Sequence, residues 1–195
     1  NKHINKLIWL TIIAFSLGIL TYGNRFSLQY DAFSFLGGIE TQEGNPNLPS
    51  FLIFVTSMIL SALICFRISY DMENQMKKIM FKITGLGFLL MSAPCDLYDS
   101  IHTMGGVLVF GALYLFLLTQ LIELSHEINK YKSYLLHIVF HTTILPYAFL
   151  YFANSPYCQL AQKIAFFGLI FTLKISTQEF IHSYKEKTDH LYSSD

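Results

Sequence analysis

Asp96, Asp99 and His102 recur at intervals of three in the stretch "CDLYDSIHT", residues 95–103, between two long apolar runs. On a helix that spacing sets them along one face. A histidine beside two carboxylates suits acid/base work or cation binding, the carboxylates orienting the ring. The same residues also suit a helix start, where acidic side chains meet the positive end of the helix dipole. Two readings follow: Asp96, Asp99 and His102 as candidate catalytic groups in a polar site, or as solvated helix caps.

A second constellation is "HIVFH", with His137 and His141 four residues apart. That spacing puts both imidazoles on one helix face, as a metal pair requires. Partners for a zinc ion there would be Glu123 and Glu179, with Gln120 and Gln178 nearby in the pattern. Without a glutamate inside the motif the signal is weak, and two histidines making interhelical hydrogen bonds or facing the headgroups fit better. No cofactor is expected; zinc is the alternative.

The elements that position these groups follow from composition. Hydrophobic residues make up 53% of the chain and charged residues 13%, with a mean hydropathy of +0.43. Soluble domains carry about 25% charged residues. Lipid is the natural solvent for such a chain. Net charge is zero, so nothing in it argues for nucleic acid. No CxxC is present, which leaves thiol–disulfide enzymology without support.

Six apolar runs are long enough to span a bilayer: 7–22, 51–69, 79–95, 102–124, 134–153 and 160–181. They are continuously apolar rather than alternating, so helices are expected. The fold class is therefore all-α, a polytopic integral membrane protein of six transmembrane helices in one domain, 1–182, with a polar tail at 183–195. The first run is read as a span rather than a signal peptide, since no small-x-small cleavage site follows it. Eleven of the thirteen Lys and Arg residues fall on the side shared by the termini and the second and fourth connections; Arg25 and Lys163 fall on the other. Positive residues favour the cytoplasm. A multi-pass protein of the cell membrane with both termini cytoplasmic is the expectation.

On that topology "CDLYDSIHT" and the long first loop share the outer side. In the loop, "YDAFSFLGG" reads as a short interfacial or re-entrant helix capped by Gly37 or Gly38. "EGNPNLPS" is turn chemistry, with Ser50 placed to cap the second span. His102 then starts its span at the opposite face from the histidine pair, and His141 lies only about 10 Å in at ~1.5 Å per residue. The three histidines cannot share one metal. Of the three cysteines, Cys65 reads as a buried thiol, while Cys95 and Cys158 both reach the outer side, where a disulfide is one option if the compartment oxidises. Gly105, Gly106 and Gly111 read as helix-packing positions. Pro146 should kink the fifth span. Lys163 should snorkel to the surface or pair with an outer carboxylate.

The order of loop, basic connection and "GLGFLLMSAPCDLYDSIHTMGGVLVFGALYLF" resembles a six-span family of bacterial and archaeal membrane proteins, domain of unknown function 998, and the related Frag1/DRAM/Sfk1 group. In both, an acidic-Ser-x-x-Gly loop precedes the second span, and a histidine opens the fourth after a Pro/Asp turn. Asp31, Ser34, Gly37, Pro94, Asp96 and His102 are the matching positions; Phe35 stands where the family loop has a second polar residue. The resemblance implies a role in lipid handling. The seven-span ceramidase and adiponectin-receptor hydrolases are a second comparison, from which the chain departs in span number and in the depth of His102.

The resulting expectation is a protein that binds, senses or moves a lipid or amphiphile. The ligand site is drawn from Arg25, Asp31, Ser34, Asp96, Asp99, His102 and Lys163, without covalent chemistry. The alternatives are a metal-dependent intramembrane lipid hydrolase and a partner subunit of a membrane complex or homo-oligomer.

Overall fold

A computed structural model describes residues 2–192, with side chains through His182. Among them six α-helices follow in order: α1 (Lys2–Thr21), α2 (Leu48–Asp71), α3 (Gln75–Met91), α4 (Asp99–Ser125), α5 (Lys130–Phe152) and α6 (Cys158–Tyr192). A short 3-10 helix, Phe33–Gly37, lies in the loop between α1 and α2. Five of the helices are long and apolar enough to cross a membrane; α3, at 17 residues, is the exception. The polar tail read at 183–195 is helical backbone as far as Tyr192, and its side chains lie outside the described residues.

At α3 and α5 the helix starts differ from the apolar runs because side-chain caps set them. Asn74 accepts a hydrogen bond from Lys77 N and so starts α3 four residues before the apolar run. Asn129 likewise accepts from Tyr131 N and starts α5. Ser50 does not cap α2. The N-cap position is Asn47, with Pro49 in the first turn, and Ser50 sits one turn inside, donating to Leu36 O at 3.1 Å.

Helices α1 to α4 pack in chain order into one body, and α5 and α6 form a hairpin that docks on α4 chiefly through α6. The closest seam is between α3 and α4. A Cβ built on Gly105 would stand 2.6 Å from Met91 N, and one on Gly87 would stand 2.8 Å from Gly105 O. Backbones can approach so closely only where both side chains are absent. Gly106 and Gly111 face open space, so of the three glycines read as packing positions only Gly105 is one. Pro146 lies inside α5 without interrupting it.

The core runs down the middle: Met58, Cys65, Phe81, Phe116, Leu117 and Leu124, with the Phe81 and Phe116 rings 4.8 Å apart. Large apolar side chains also cover the outside. Leu20 is 80% exposed and Phe152 84%. That distribution suits a lipid solvent and not water.

Contacts between basic and acidic side chains gather at one end, called here the basic end. His3 meets Asp71 at 3.9 Å, Lys77 meets Glu123 at 2.5 Å, and Lys132 meets Glu179 at 2.7 Å. The 22–47 loop closes the other.

Candidate functional site at the loop end

The loop is held by side chains that bond its backbone. Asn47, fully buried, accepts from Gly23 N at 3.1 Å and donates to Gly38 O at 2.9 Å. It thereby joins the end of α1, the 3-10 helix and the start of α2. Residues 39–47 fold back as a tight hairpin, with Asn47 N donating to Ile39 O and Gly44 taking the positive φ of +81° that its turn requires. From the α3–α4 turn, Asp96 Oδ2 accepts from both Ile39 N and Glu40 N at 3.0 Å, and Cys95 N donates to Gly37 O. From α6, Gln162 Oε1 accepts from Phe33 N at 2.9 Å, and Lys163 Nζ donates to Asp31 O.

The apolar side of the loop enters the bundle. Phe33 stacks on Phe15 of α1 at 4.5 Å and meets Phe166 of α6 edge-on at 5.4 Å. Leu36 is wholly buried. Gly37 lies against the Phe54 ring, where a Cβ would come within 2.7 Å. The alternation of polar and aromatic residues in "YDAFSFLGG" thus serves one purpose: the aromatic side fills the bundle mouth while the backbone is gripped from above.

Beneath this cap lies His102, 3% exposed and stacked on Phe54 with ring centroids 5.8 Å apart. Its Nδ1 is 2.8 Å from Ala93 O. A carbonyl only accepts, so Nδ1 carries the proton, and in the neutral ring Nε2 presents a lone pair. That Nε2 is buried and has no hydrogen-bond partner among the described residues. Buried polar atoms without partners are uncommon and are costly to keep.

The structure therefore brings Asp31, Asp96, His102 and Lys163 to one end, but uses them differently from an open polar pocket. Asp31 accepts from Ser27 N through its carboxylate and from Lys163 through its carbonyl. Asp99 is exposed and accepts from Thr103 Oγ1 at 3.3 Å. Ser34 is half-buried and Arg25 exposed. Lys163 does not snorkel. It is 5% exposed, between the rings of Phe26 and Phe33, and its second bond is to Gln159 O at 3.0 Å. Aromatic faces and main-chain carbonyls replace the surface water that the sequence pattern suggested.

The histidine pair lies elsewhere. His137 and His141 stack at 5.8 Å, and His141 Nδ1 is 3.2 Å from Tyr114 OH. Their proposed companions Glu123 and Glu179 are engaged by Lys77 and Lys132. Among the described residues no three His, Cys, Asp or Glu side chains converge as metal ligands would. Cys65, Cys95 and Cys158 are all free thiols.

Two residues essential to the cap, Asn47 and Gln162, carried no chemical signature in the sequence beyond an asparagine before a proline-started helix. Two outcomes follow from the geometry. Asp96→Ala should speed amide exchange at Ile39 and Glu40 roughly five- to tenfold, the worth of an ordinary hydrogen bond of ~1 kcal/mol; unchanged exchange would remove Asp96 from the cap. The second concerns Cys95, whose thiol is pushed up to about 12, first by burial and then by the Asp96 carboxylate. The folded state holds this proton above the pH at which the unfolded chain, with its ordinary value of 9.0, gives it up. The associated stability is full below that value and declines as pH rises from there towards about 12. The unfolding midpoint should accordingly drop on alkaline titration, and drop less in Cys95→Ser.

Fold and site together define a class: an all-helical bundle of membrane-spanning character, closed at one end by a loop stitched over a buried histidine. The chain matches no protein-family model, no curated protein and no solved structure.

Proposed function

We propose that the chain is a six-span protein of the cell membrane, with its basic end and both termini in the cytoplasm, that binds, senses or moves a lipid or other amphiphile at the loop end. The observation that carries this reading is the unpartnered Nε2 of His102 under a cap held to α6 by Gln162 and a buried lysine. A ligand hydroxyl or a protonated headgroup oxygen is the donor that this nitrogen lacks, and Lys163 offers an ammonium with one N–H unused. Inside the bundle an apolar crevice of about 70 Å³ is walled by α1, α2, α3, α4 and α6, with Leu7, Phe15, Met58, Phe88, Leu113 and Phe166 among its residues. The one hydroxyl on its wall, Thr11, bonds back to Leu7 O and Ile8 O. Nothing on that wall would oppose an acyl chain. The crevice is narrow with the cap seated, so uptake on this reading requires α6 and the loop to part.

Six spans follow if α3, about 26 Å long at ~1.5 Å per residue, crosses with its flanking turns. The resemblance to the six-span lipid-handling family belongs to the same proposal. A partner subunit is the second reading, favoured by α5, whose outer face exposes Tyr134, Leu135, Phe149 and Phe152.

Native mass spectrometry from mild detergent, with metal analysis on the same sample, tests the proposal. A retained lipid without metal supports it, provided His102→Phe reduces retention. One zinc per chain overturns it in favour of a metal-dependent lipid hydrolase. Neither lipid nor metal, with a stoichiometric protein partner, overturns it in favour of the subunit reading.

A further inference from the structure

A second and roomier cavity lies at the other end. It measures about 420 Å³ and is lined by Ile4 of α1, Met72 after α2, Lys77 of α3, Phe116 and Gln120 of α4, and Thr177, Phe180 and Ile181 of α6. Sites for small ligands run from about 300 to 1,000 Å³. Its walls are apolar, but three polar side chains converge on it from three helices. Gln120 is 6% exposed, and its amide makes no side-chain hydrogen bond among the described residues. Thr177 is 9% exposed, and its Oγ1 is buried without a partner among the described residues. A threonine in a helix ordinarily bonds back to the preceding turn, as Thr84, Thr142 and Thr143 do here. Thr177 does not.

Lys77 completes the site. Its ammonium pairs with Glu123 and lies 5.5 Å from the centre of the Phe180 ring. One N–H is used by the carboxylate, and two remain. At the same end Arg67 and Lys132 are paired with Asp71 and Glu179, and Lys78 and Lys174 add positive charge beyond those pairs, which favours an anion.

We infer that this cavity is a binding site for a single-chain amphiphile with an anionic head. The head oxygens take the N–H groups of Gln120 and Lys77 and the hydroxyl of Thr177, and the chain lies against Ile4, Phe116 and Phe180. Four helices, α1, α3, α4 and α6, and Met72 just after α2 line the site, so its occupancy would tie the four-helix body to the α5–α6 hairpin. The inference is independent of what the loop end binds.

The test uses the full chain in nanodiscs and a dodecyl phosphate bearing a photoreactive diazirine, with the corresponding dodecanol as the neutral arm. Mass-spectrometric peptide mapping should find label concentrated at 116–120 and 177–181 with the phosphate, competed by unlabelled dodecyl phosphate. Gln120→Leu and Thr177→Val should each lower that labelling about fivefold, the effect of one hydrogen bond. Lys77→Met should erase the preference for phosphate over alcohol. Thr177→Val also removes an unpartnered buried hydroxyl, so its melting temperature should hold or rise; weaker labelling without loss of stability is a result that a merely structural threonine would not give. Label spread evenly over the lipid-facing helices, or unchanged in the three variants, would overturn the inference. Competition by inorganic phosphate alone would also overturn it, showing an anion site that does not need the chain.

Discussion

Replacing Asn47 by alanine is expected to cost about 2–3 kcal/mol of stability, because one buried backbone carbonyl loses its partner at ~1–3 kcal/mol and one part-buried backbone N–H loses an ordinary hydrogen bond of ~1 kcal/mol. The groups are Gly23 N–H and Gly38 C=O. Both lie at junctions: Gly23 follows α1, and Gly38 ends the 3-10 helix. Water cannot take the place of the amide at Gly38 O, where the bond is buried, but reaches the exposed Gly23. The loss should be uneven across the molecule. Residues 22–46 depend on this side chain, so the loop should become open to protease while the helices remain protected, the pattern of local rather than global unfolding. Asn47→Asp separates the two bonds. An aspartate still accepts from Gly23 N but, when ionised, cannot donate to Gly38 O, so it should be damaged at the 3-10 helix and spared at α1. Limited proteolysis with mapped cleavage sites, alongside thermal unfolding in detergent, reads both effects. An Asn47→Ala protein as protease-resistant as the wild type would refute the role given to this residue.

The second large effect belongs to the α3–α4 seam. Gly105→Ala is expected to destabilise by about 2–3 kcal/mol, in the range of forced overpacking. The new methyl would meet backbone atoms, Met91 N at 2.6 Å and Gly87 O at 2.7 Å, which cannot swing aside as a flexible side chain can. Only separation of the two helices relieves it. The neighbouring substitution makes the control. Gly106→Ala meets nothing within 4 Å. It should be neutral or stabilising by up to about 1 kcal/mol, the helix-propensity gain of alanine over glycine. Gly111→Ala should behave like Gly106→Ala. Unfolding midpoints of the three variants, taken under one detergent condition, check the ordering. If Gly106→Ala proved as damaging as Gly105→Ala, the seam would be misplaced by one residue around α4, or a second protein would cover that face.

These two residues also mark what the sequence disclosed and what it withheld. The apolar runs announced all six helices, because continuous hydropathy is a property of the chain itself. Their ends were displaced by up to several residues where a polar cap lies outside the apolar run, as Asn74 and Asn129 do. Gly105 and Gly106 are indistinguishable as letters; which one faces α3 depends on the rotation of α4 about its axis. Asp96, His102 and Lys163 were rightly marked as belonging to one end. Their partners were not legible, because each bonds to main-chain atoms, and every residue carries those alike. Asn47 stood in plain sight within "GNPNLPS" but reads there as one more turn residue. Thr177 gave no sign at all, since an unsatisfied hydroxyl is a fact of packing and not of pattern.

Helix α6 is a single uninterrupted rod of 35 residues. Lys163, which holds the loop, and Thr177, which lines the basic-end cavity, lie 14 residues apart on it, about 21 Å at ~1.5 Å rise. A tilt of about 5° pivoting at one of these points moves the other by roughly 2 Å over that length. Two Ångströms is enough to break the bond from Lys163 to Asp31 O, or to close a hydrogen bond at Thr177. α6 is in this sense a connecting rod whose bearings are the two ends of the molecule. Whatever shifts it at one end is felt as work at the other, and the coupling must run equally in both directions.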